Sequence, residues 1–247
     1  VFFCLVLGYL SFKLKGLEMQ HLAIIPDGNR RWAKKNKLQA ILGHQSGGKV
    51  IKSVISACLK NDIKYVSIYI FSLENLESRS AQEQKYLFKM IPEQIKENLP
   101  DLIKHKVKVR FIGDSCKFPE SLISEIKSVE EKTKNFDALN LSFMFCYGGR
   151  HEILHAVNCI SKDISNGILV AEKIDEQVLR RYFWTSDLPD PDLIIRTSGI
   201  SRLSNFFAFQ SAYSELMFLD CYWPEVTQEI LQKCIDDYKN IARNFGK

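Results

Sequence analysis

Asp27 is the carboxylate in a short run of turn-forming and cationic residues, Pro26-Asp27-Gly28-Asn29-Arg30-Arg31-Trp32, that follows the apolar stretch LAII (22–25). By itself the run reads as a turn leading to a solvated helix face, because Asp, Gly and Asn favour turns. Other apolar runs end on comparable groups. Ser72-Leu73-Glu74-Asn75 follows YVSIYIF (65–71), and Tyr147-Gly148-Gly149-Arg150 follows LNLSFMF (139–145). Arg196-Thr197-Ser198-Gly199 closes DLIIR (192–196) and leads into Arg202-Leu203-Ser204-Asn205. Together these groups describe a polar rim rich in arginine and poor in acids. Arginine presents a planar fork of donors to phosphate oxygens, and glycine lets backbone N–H groups approach closely. The chemistry that suits the rim is the binding of concentrated negative charge, such as a diphosphate.

A rim of this kind needs elements that bring its parts together. The apolar runs LAII, YVSIYIF, VKVRFI (107–112), LNLSFMF, DLIIR and ELMFL (215–219) are mostly continuous, as in strands covered on both faces. Amphipathic stretches alternate with them. GGKVIKSVISACLKND (47–62) places Val50, Ile51, Val54, Ile55 and Cys58 on one face. QEQKYLFKMIPEQIKENLPDLIKH (82–105) is expected to kink or restart at Pro92, and PESLISEIKSVEEKT (119–133) opens with proline at a helix start. The alternation predicts a single α/β domain with a central, mostly parallel sheet of about six strands flanked by helices. Ligands of such sheets gather at the carboxyl ends of the strands.

The 247 residues, 46% hydrophobic and 26% charged, suit one globular domain. A net charge of +5 accords with phosphorylated substrates or an anionic membrane surface and is too small to indicate nucleic acid. No dense basic stripe with interleaved aromatics is present, which argues against nucleic-acid binding. The seven cysteines include no CxxC pair and read as reduced core residues of a cytoplasmic protein. Residues 1–18 begin with about a dozen apolar residues, short of the ~20 of a membrane-spanning helix. They read as a membrane-contacting extension or a start-site artefact ahead of a catalytic domain at 19–247.

HLAIIPDGNRRWAKK, Gly43-His44, YIFSLENL, FCYGGRHEI, DLIIRTSG, RLSNF, QSAYSELMF and WPE resemble, in order and approximate spacing, the cis-prenyltransferases, whose bacterial members are undecaprenyl diphosphate synthases. The resemblance covers about His21 to Gly246. It implies a hydrophobic tunnel beside the sheet. It also implies repeated condensation of isopentenyl diphosphate onto an allylic diphosphate, normally farnesyl diphosphate, with cis stereochemistry. The product would be a long-chain polyprenyl diphosphate, the precursor of a cell-wall lipid carrier.

On this resemblance Asp27 is the catalytic aspartate and a Mg2+ ligand, with Glu215 a second ligand. Gly28, Asn29, Arg30, Arg31 and His44 surround the allylic diphosphate, and Trp32 packs beside the prenyl chain. Asn75 helps remove a proton from isopentenyl diphosphate, and Ser72, Leu73 and Glu74 before it bind substrate. Arg79 takes a substrate-binding place if one residue is inserted, and Arg196, Arg202, Leu203 and Ser204 bind isopentenyl diphosphate. The family also implies a homodimer, with aromatics of FFAFQSAYSELMFL (206–219) partly facing the partner, and a cytoplasmic enzyme that meets the membrane surface to release its product.

The sequence departs from the family pattern at several positions. Ala40 and Leu76 stand where an arginine and a tryptophan are usual, Ile200 replaces an acid, Ser201 a histidine, and Asn244 the second of an arginine pair. These exchanges bear on substrate affinity, metal geometry and the dimer contact, and leave Asp27, Arg31, His44, Asn75, Arg196, Arg202, Ser204 and Glu215 in place. Two rival readings carry less weight. HEILH (151–155) matches the zinc pattern HExxH, but no third ligand follows at a useful spacing, and His155 is expected to be partly buried in an ordinary helix. A catalytically inert scaffold subunit of a prenyltransferase complex would be expected to have lost Asp27.

Overall fold

The computed structural model describes residues 18–78 and 80–241. Six strands form one sheet: β1 (His21–Ile25), β2 (Tyr65–Ser72), β3 (Val107–Ile112), β4 (Leu139–Tyr147), β5 (Leu193–Arg196) and β6 (Glu215–Phe218). Their spatial order is β3-β4-β2-β1-β5-β6, and every neighbouring pair is parallel. The sheet expected to be mostly parallel is therefore parallel throughout. Both of its faces are buried. Leu22 and Ile24 of β1 join Leu193 and Ile195 in one core, while Ala23, Ile25 and Ile194 point into another. Alternate residues thus serve opposite faces, so the strands read as unbroken apolar runs.

Eight α-helices accompany the sheet among the described residues: α1 (Asn29–Lys35), α2 (Ala40–Lys60), α3 (Leu73–Ser78), α4 (Ala81–Lys104), α5 (Glu120–Thr133), α6 (Gly149–Ser165), α7 (Glu176–Arg181) and α8 (Gln228–Lys239). Helix α2 begins well before the Gly47-Gly48 pair that opened the expected stretch. A Cβ on Gly47 would lie 2.3 Å from Asn29 Oδ1 and 2.7 Å from the Trp223 ring, so this glycine is a close-approach point against the start of α1. Helix α4 runs through both Pro92 and Pro100 and does not restart. Leu87 and Met90 before Pro92 and Ile95 and Leu102 after it are all buried, and that apolar stripe holds the helix across the missing donor. The cysteines among the described residues are free; Cys58, Cys146 and Cys234 are buried as expected, whereas Cys159 and Cys221 are partly exposed and Cys116 is exposed on a short 3-10 turn.

Strand β1 pairs with β2 on one side and β5 on the other, so its carboxyl end sits where the chain order reverses. Crevices open at such points in parallel sheets. Among the described residues no helix is long and apolar enough to cross a membrane. The readings placed on residues 1–17, Arg79 and Asn244 lie outside the described residues.

At the other end of β1, His21 is fully buried. Its Nδ1 lies 2.7 Å from the Pro189 carbonyl oxygen and its Nε2 2.8 Å from Ser67 Oγ. A carbonyl only accepts, so Nδ1 donates and Nε2 accepts from the Ser67 hydroxyl. Burial pushes this histidine down to about 4, outweighing the raising effect of Pro189. The unfolded chain therefore binds the extra proton first as pH falls. Stability is expected to drop from about pH 6.5 downward, with roughly 2 kcal/mol lost by pH 5. Urea midpoints measured between pH 7 and 5 check this; a flat profile would show that His21 is not buried and neutral.

Candidate active site

Asp27 emerges from β1 with its backbone fixed on both sides. Its N–H donates to Thr197 Oγ1 (2.9 Å), the Thr197 hydroxyl donates to the Asp27 carbonyl (2.6 Å), and Trp223 N–H donates to the same carbonyl (3.0 Å). Gly28 then turns the chain at φ +103°, where a Cβ would strike the Tyr222 ring at 2.7 Å. A left-handed turn against an aromatic wall admits glycine and little else.

The Asp27 carboxylate faces two guanidinium groups. Oδ1 accepts from Arg31 Nη2 (3.0 Å) and Oδ2 from Arg196 Nη2 (2.9 Å). Arg31 is steadied by the hydroxyl and carbonyl of Ser198. Arg196 is only 5% exposed, and also donates to Ser204 Oγ (2.8 Å) and to the Arg202 carbonyl. Its Nε is buried with no hydrogen-bond partner. Burial works to raise the Asp27 carboxyl, but Arg196 and then Arg31 overcome it and hold the group below the usual carboxylate value. The aspartate stays ionised among cations, and a buried donor remains open to an anionic ligand.

This cluster stands at the mouth of a cavity of 1240 Å³. Around the mouth lie Gly28, Asn29 and Arg30 at the end of β1, His44 on α2, Ser72, Glu74 and Asn75 after β2, and Arg202, Leu203 and Ser204 after β5. Beyond these the lining is largely apolar, with Ile51 and Ile55 of α2, Leu87 and Ile91 of α4 and Ile68 and Ile70 of β2, and with Lys52, Gln94, Asn98 and Asp101 as the polar members on the same two helices. Val109, Leu141, Phe143 and Val129 line it on the β3, β4 and α5 side. A polar, cationic entrance to an apolar hollow suits an amphiphile with an anionic head and a hydrocarbon tail.

The undecaprenyl diphosphate synthase family model of prenyltransferases matches residues 25–246 of the chain. The chain belongs to this family. It is 44% identical to the isoprenyl transferase of Thermotoga maritima over 227 residues, 92% of this chain and 96% of that one. It is also 40% identical over 227 residues to the Micrococcus luteus ditrans,polycis-undecaprenyl-diphosphate synthase described as (2E,6E)-farnesyl-diphosphate specific, covering 92% of this chain and 91% of the relative. Among solved structures it is similar to lavandulyl diphosphate synthase from Lavandula x intermedia in complex with dimethylallyl diphosphate. The TM-score is 0.90 at 30% identity, with 93% of this chain and 99% of the other covered. The protein is a cis-prenyltransferase enzyme.

Most of the described residues singled out from the sequence of this cis-prenyltransferase line the cavity, and three of the described ones do not. Trp32 is half-buried on α1 and is not part of the cavity lining. Leu73 is buried beside Phe71, Leu87 and Phe145 in a core cluster instead of facing a substrate. Glu215 opens β6 opposite Leu193, whereas Arg196 lies opposite Phe218. Three residues of strand set Glu215 about 10 Å back from the end that carries the site, so within one chain it does not meet Asp27.

Other residues join the site without having been assigned a role. Thr197 and Ser198 fix Asp27 and Arg31. Glu83, in the first turn of α4, lies 3.7 Å from Arg30 and 3.9 Å from His44. Ser80 three residues earlier caps that helix by accepting from Glu83 N–H, and this S-x-x-E spacing is the signal that could have pointed to it. Asn205 donates to Glu74 Oε1 (2.7 Å).

The HEILH segment lies in the first turns of α6. Glu152, the base of the metalloprotease pattern, is buried and accepts from Thr185 N and Oγ1, Tyr147 Oη and Gln210 Nε2 at 2.6–2.9 Å. With both oxygens occupied, it ties α6 to the segments around it. His155, expected to be partly buried, is exposed beside Trp184, with ring centroids 5.2 Å apart. Among the described residues no three His, Cys, Asp or Glu side chains are grouped to hold a metal.

Proposed function

We propose that this enzyme condenses isopentenyl diphosphate onto an allylic diphosphate, with farnesyl diphosphate as primer, and repeats the step in cis geometry to build a long-chain polyprenyl diphosphate for an undecaprenyl-type lipid carrier. The observation that carries this reading is the Asp27–Arg31–Arg196 cluster at the mouth of a 1240 Å³ cavity with apolar walls. Arg30 and Arg31 hold the allylic diphosphate and take up the charge that develops on it as its C–O bond breaks. The open Nε of Arg196, with Arg202 and Ser204, anchors the diphosphate of the isopentenyl unit. Asn75, whose N–H is pinned by Ser72 Oγ (3.1 Å), is placed to help remove the proton released on condensation. The apolar cavity receives the lengthening tail and excludes water from the reacting carbons.

Magnesium is the cofactor this reading implies. The donor set fits. Each Asp27 oxygen accepts one guanidinium and keeps a further lone pair, and magnesium takes one or two carboxylates with substrate phosphates and water. Asp27 would hold the ion, which supplies charge neutralisation for the leaving diphosphate. Incorporation of labelled isopentenyl diphosphate into extractable lipid, with farnesyl diphosphate and magnesium, tests the function. No incorporation, or undiminished incorporation in excess chelator, would contradict the substrates or the metal respectively.

Cavity size supports a product beyond short chains. At about 30 Å³ per heavy atom, close to the share of a water in the liquid, a five-carbon unit fills ~150 Å³, so the volume left beyond the polar mouth has room for several. A medium-chain product is the alternative. Ile70 of β2 lines the cavity, and the resemblance places a small residue here in long-chain members. Ile70→Ala is expected to lengthen the major product by one or more units. An unchanged length would move the limiting wall to another residue.

The enzyme is read as a cytoplasmic homodimer that releases product at a membrane surface. Phe206 and Phe207 do not serve the dimer as expected, for both are buried in the core beneath β1 and β5. The exposed large apolar members of that run are Tyr213 (81%) and Leu216 (44%), beside or on the edge strand β6, and they support a subunit contact. An active monomer in sedimentation at micromolar concentration would contradict this.

A further inference from the structure

We infer that Asn205 is a positioning residue that joins the isopentenyl-binding loop to the segment carrying Asn75, and so sets the alignment of the two reacting centres. This rests on the function proposed above. Asn205 follows Ser204, the residue held by Arg196, in a stretch where Ser204, Asn205 and Phe207 have φ values of +51°, +65° and +46°. Left-handed backbone is uncommon for serine and phenylalanine and more readily adopted by asparagine. A conformation of this kind persists only where its surroundings hold it.

The Asn205 side chain makes two directed contacts. Its Oδ1 accepts from Arg150 N–H (2.9 Å) in the first turn of α6, and its Nδ2 donates to Glu74 Oε1 (2.7 Å) on α3. The Asn205 carbonyl accepts from Gly149 N–H (2.8 Å). A backbone N–H must donate and a carboxylate must accept, so the amide orientation is determined by its partners. Glu74 is held below the usual carboxylate range. Burial works to raise it, and hydrogen bonds from its own backbone, Asn205 and Ser72, with the charge of His151, outweigh that. Three strand ends meet in this one amide: β2 through Glu74, β4 through the start of α6, and β5 through the loop bearing Ser204.

Glu74 is adjacent to Asn75, and Ser204 to Asn205. The amide therefore fixes the distance between the anchor of the isopentenyl diphosphate and the residue facing its proton. The Asp27 backbone is held by Thr197 and Arg31 by Ser198, neither of which touches the Asn205 amide; their link to it runs through Arg196, which bonds both Asp27 and Ser204. Loss of the bridge should lower kcat and raise KM for isopentenyl diphosphate, with KM for the allylic diphosphate unchanged.

Asn205→Asp is the informative variant, because it keeps an acceptor for Arg150 N–H and replaces the donor facing Glu74 with a second carboxylate. A fall of about thirtyfold in kcat/KM for isopentenyl diphosphate is expected, as for a lost hydrogen bond to a charged group. Asn205→Asp combined with Glu74→Gln reverses donor and acceptor, and should return activity to within about threefold of Glu74→Gln alone. Should Asn205→Asp not fold, Asn205→Gly, which tolerates φ +65° and lacks the amide, carries the same kinetic test. Wild-type turnover is measured first. No turnover refutes the proposed function, whereas active wild type with unimpaired Asn205 variants refutes the bridge alone. A double variant no better than Asn205→Asp, or an equal rise in both KM values, would also overturn it.

Discussion

Asp27→Asn is expected to lower turnover about a thousandfold while the chain remains folded, the magnitude of removing one preorganised charge group from a reacting diphosphate. The backbone of Asp27 is held by Thr197 and Trp223 whatever its side chain, so the turn survives the change. What is lost is the negative charge between Arg31 and Arg196, and with it the site for a divalent ion. Asparagine keeps the shape and one acceptor oxygen, so the buried Arg196 is not stranded as it would be beside alanine. Turnover within tenfold of wild type in a folded Asp27→Asn protein would remove Asp27 from the mechanism. The same carboxylate has a pH signature. Its value is lowered in the folded protein, so it contributes stability above the ordinary carboxylate value that is lost as pH falls through the lower folded value.

The second large effect is expected at Arg196. This guanidinium binds Asp27, Ser204 and the Arg202 carbonyl, with Nε to spare, from a position 5% exposed. Lysine offers a point charge on a flexible stem and cannot reach these partners together. Arg196→Lys should raise KM for isopentenyl diphosphate on the order of a hundredfold, in line with the 2–5 kcal/mol lost when a buried, hydrogen-bonded charge pair is cut. Steady-state kinetics with each substrate varied in turn would show it. An unchanged KM for isopentenyl diphosphate would place that diphosphate elsewhere.

The sheet was legible in the sequence because strands buried on both faces leave unbroken apolar runs, and all six runs became strands. Its carboxyl-end rim was legible for a related reason: charged residues directly after such runs have few places to go but a crevice. Leu73 and Trp32 misled because nearness in sequence to a motif does not decide which way a side chain turns. Leu73 falls between Ser72 and Glu74, which line the mouth, yet it packs against Phe71 and Phe145. Glu215 required the strand register, which pairs it with Leu193 at the far end of β5. Pro92 looked like a break, but the apolar stripe of α4 continues past it. Thr197, Glu83 and Asn205 act through partners 170, 53 and 131 residues away in the chain, Asp27, Arg30 and Glu74 respectively; the capping spacing marks Glu83 as a helix start, but no local pattern encodes any of the three partners.

The most direct measurement incubates wild type and Asp27→Asn side by side with farnesyl diphosphate, labelled isopentenyl diphosphate and magnesium, then determines product length and double-bond geometry. A ladder of cis-extended polyprenyl diphosphates from the wild type, and essentially none from Asp27→Asn, is the predicted result. A wild-type product with new trans bonds, or a variant that elongates as well as the wild type, would contradict a cis-condensing site built on Asp27.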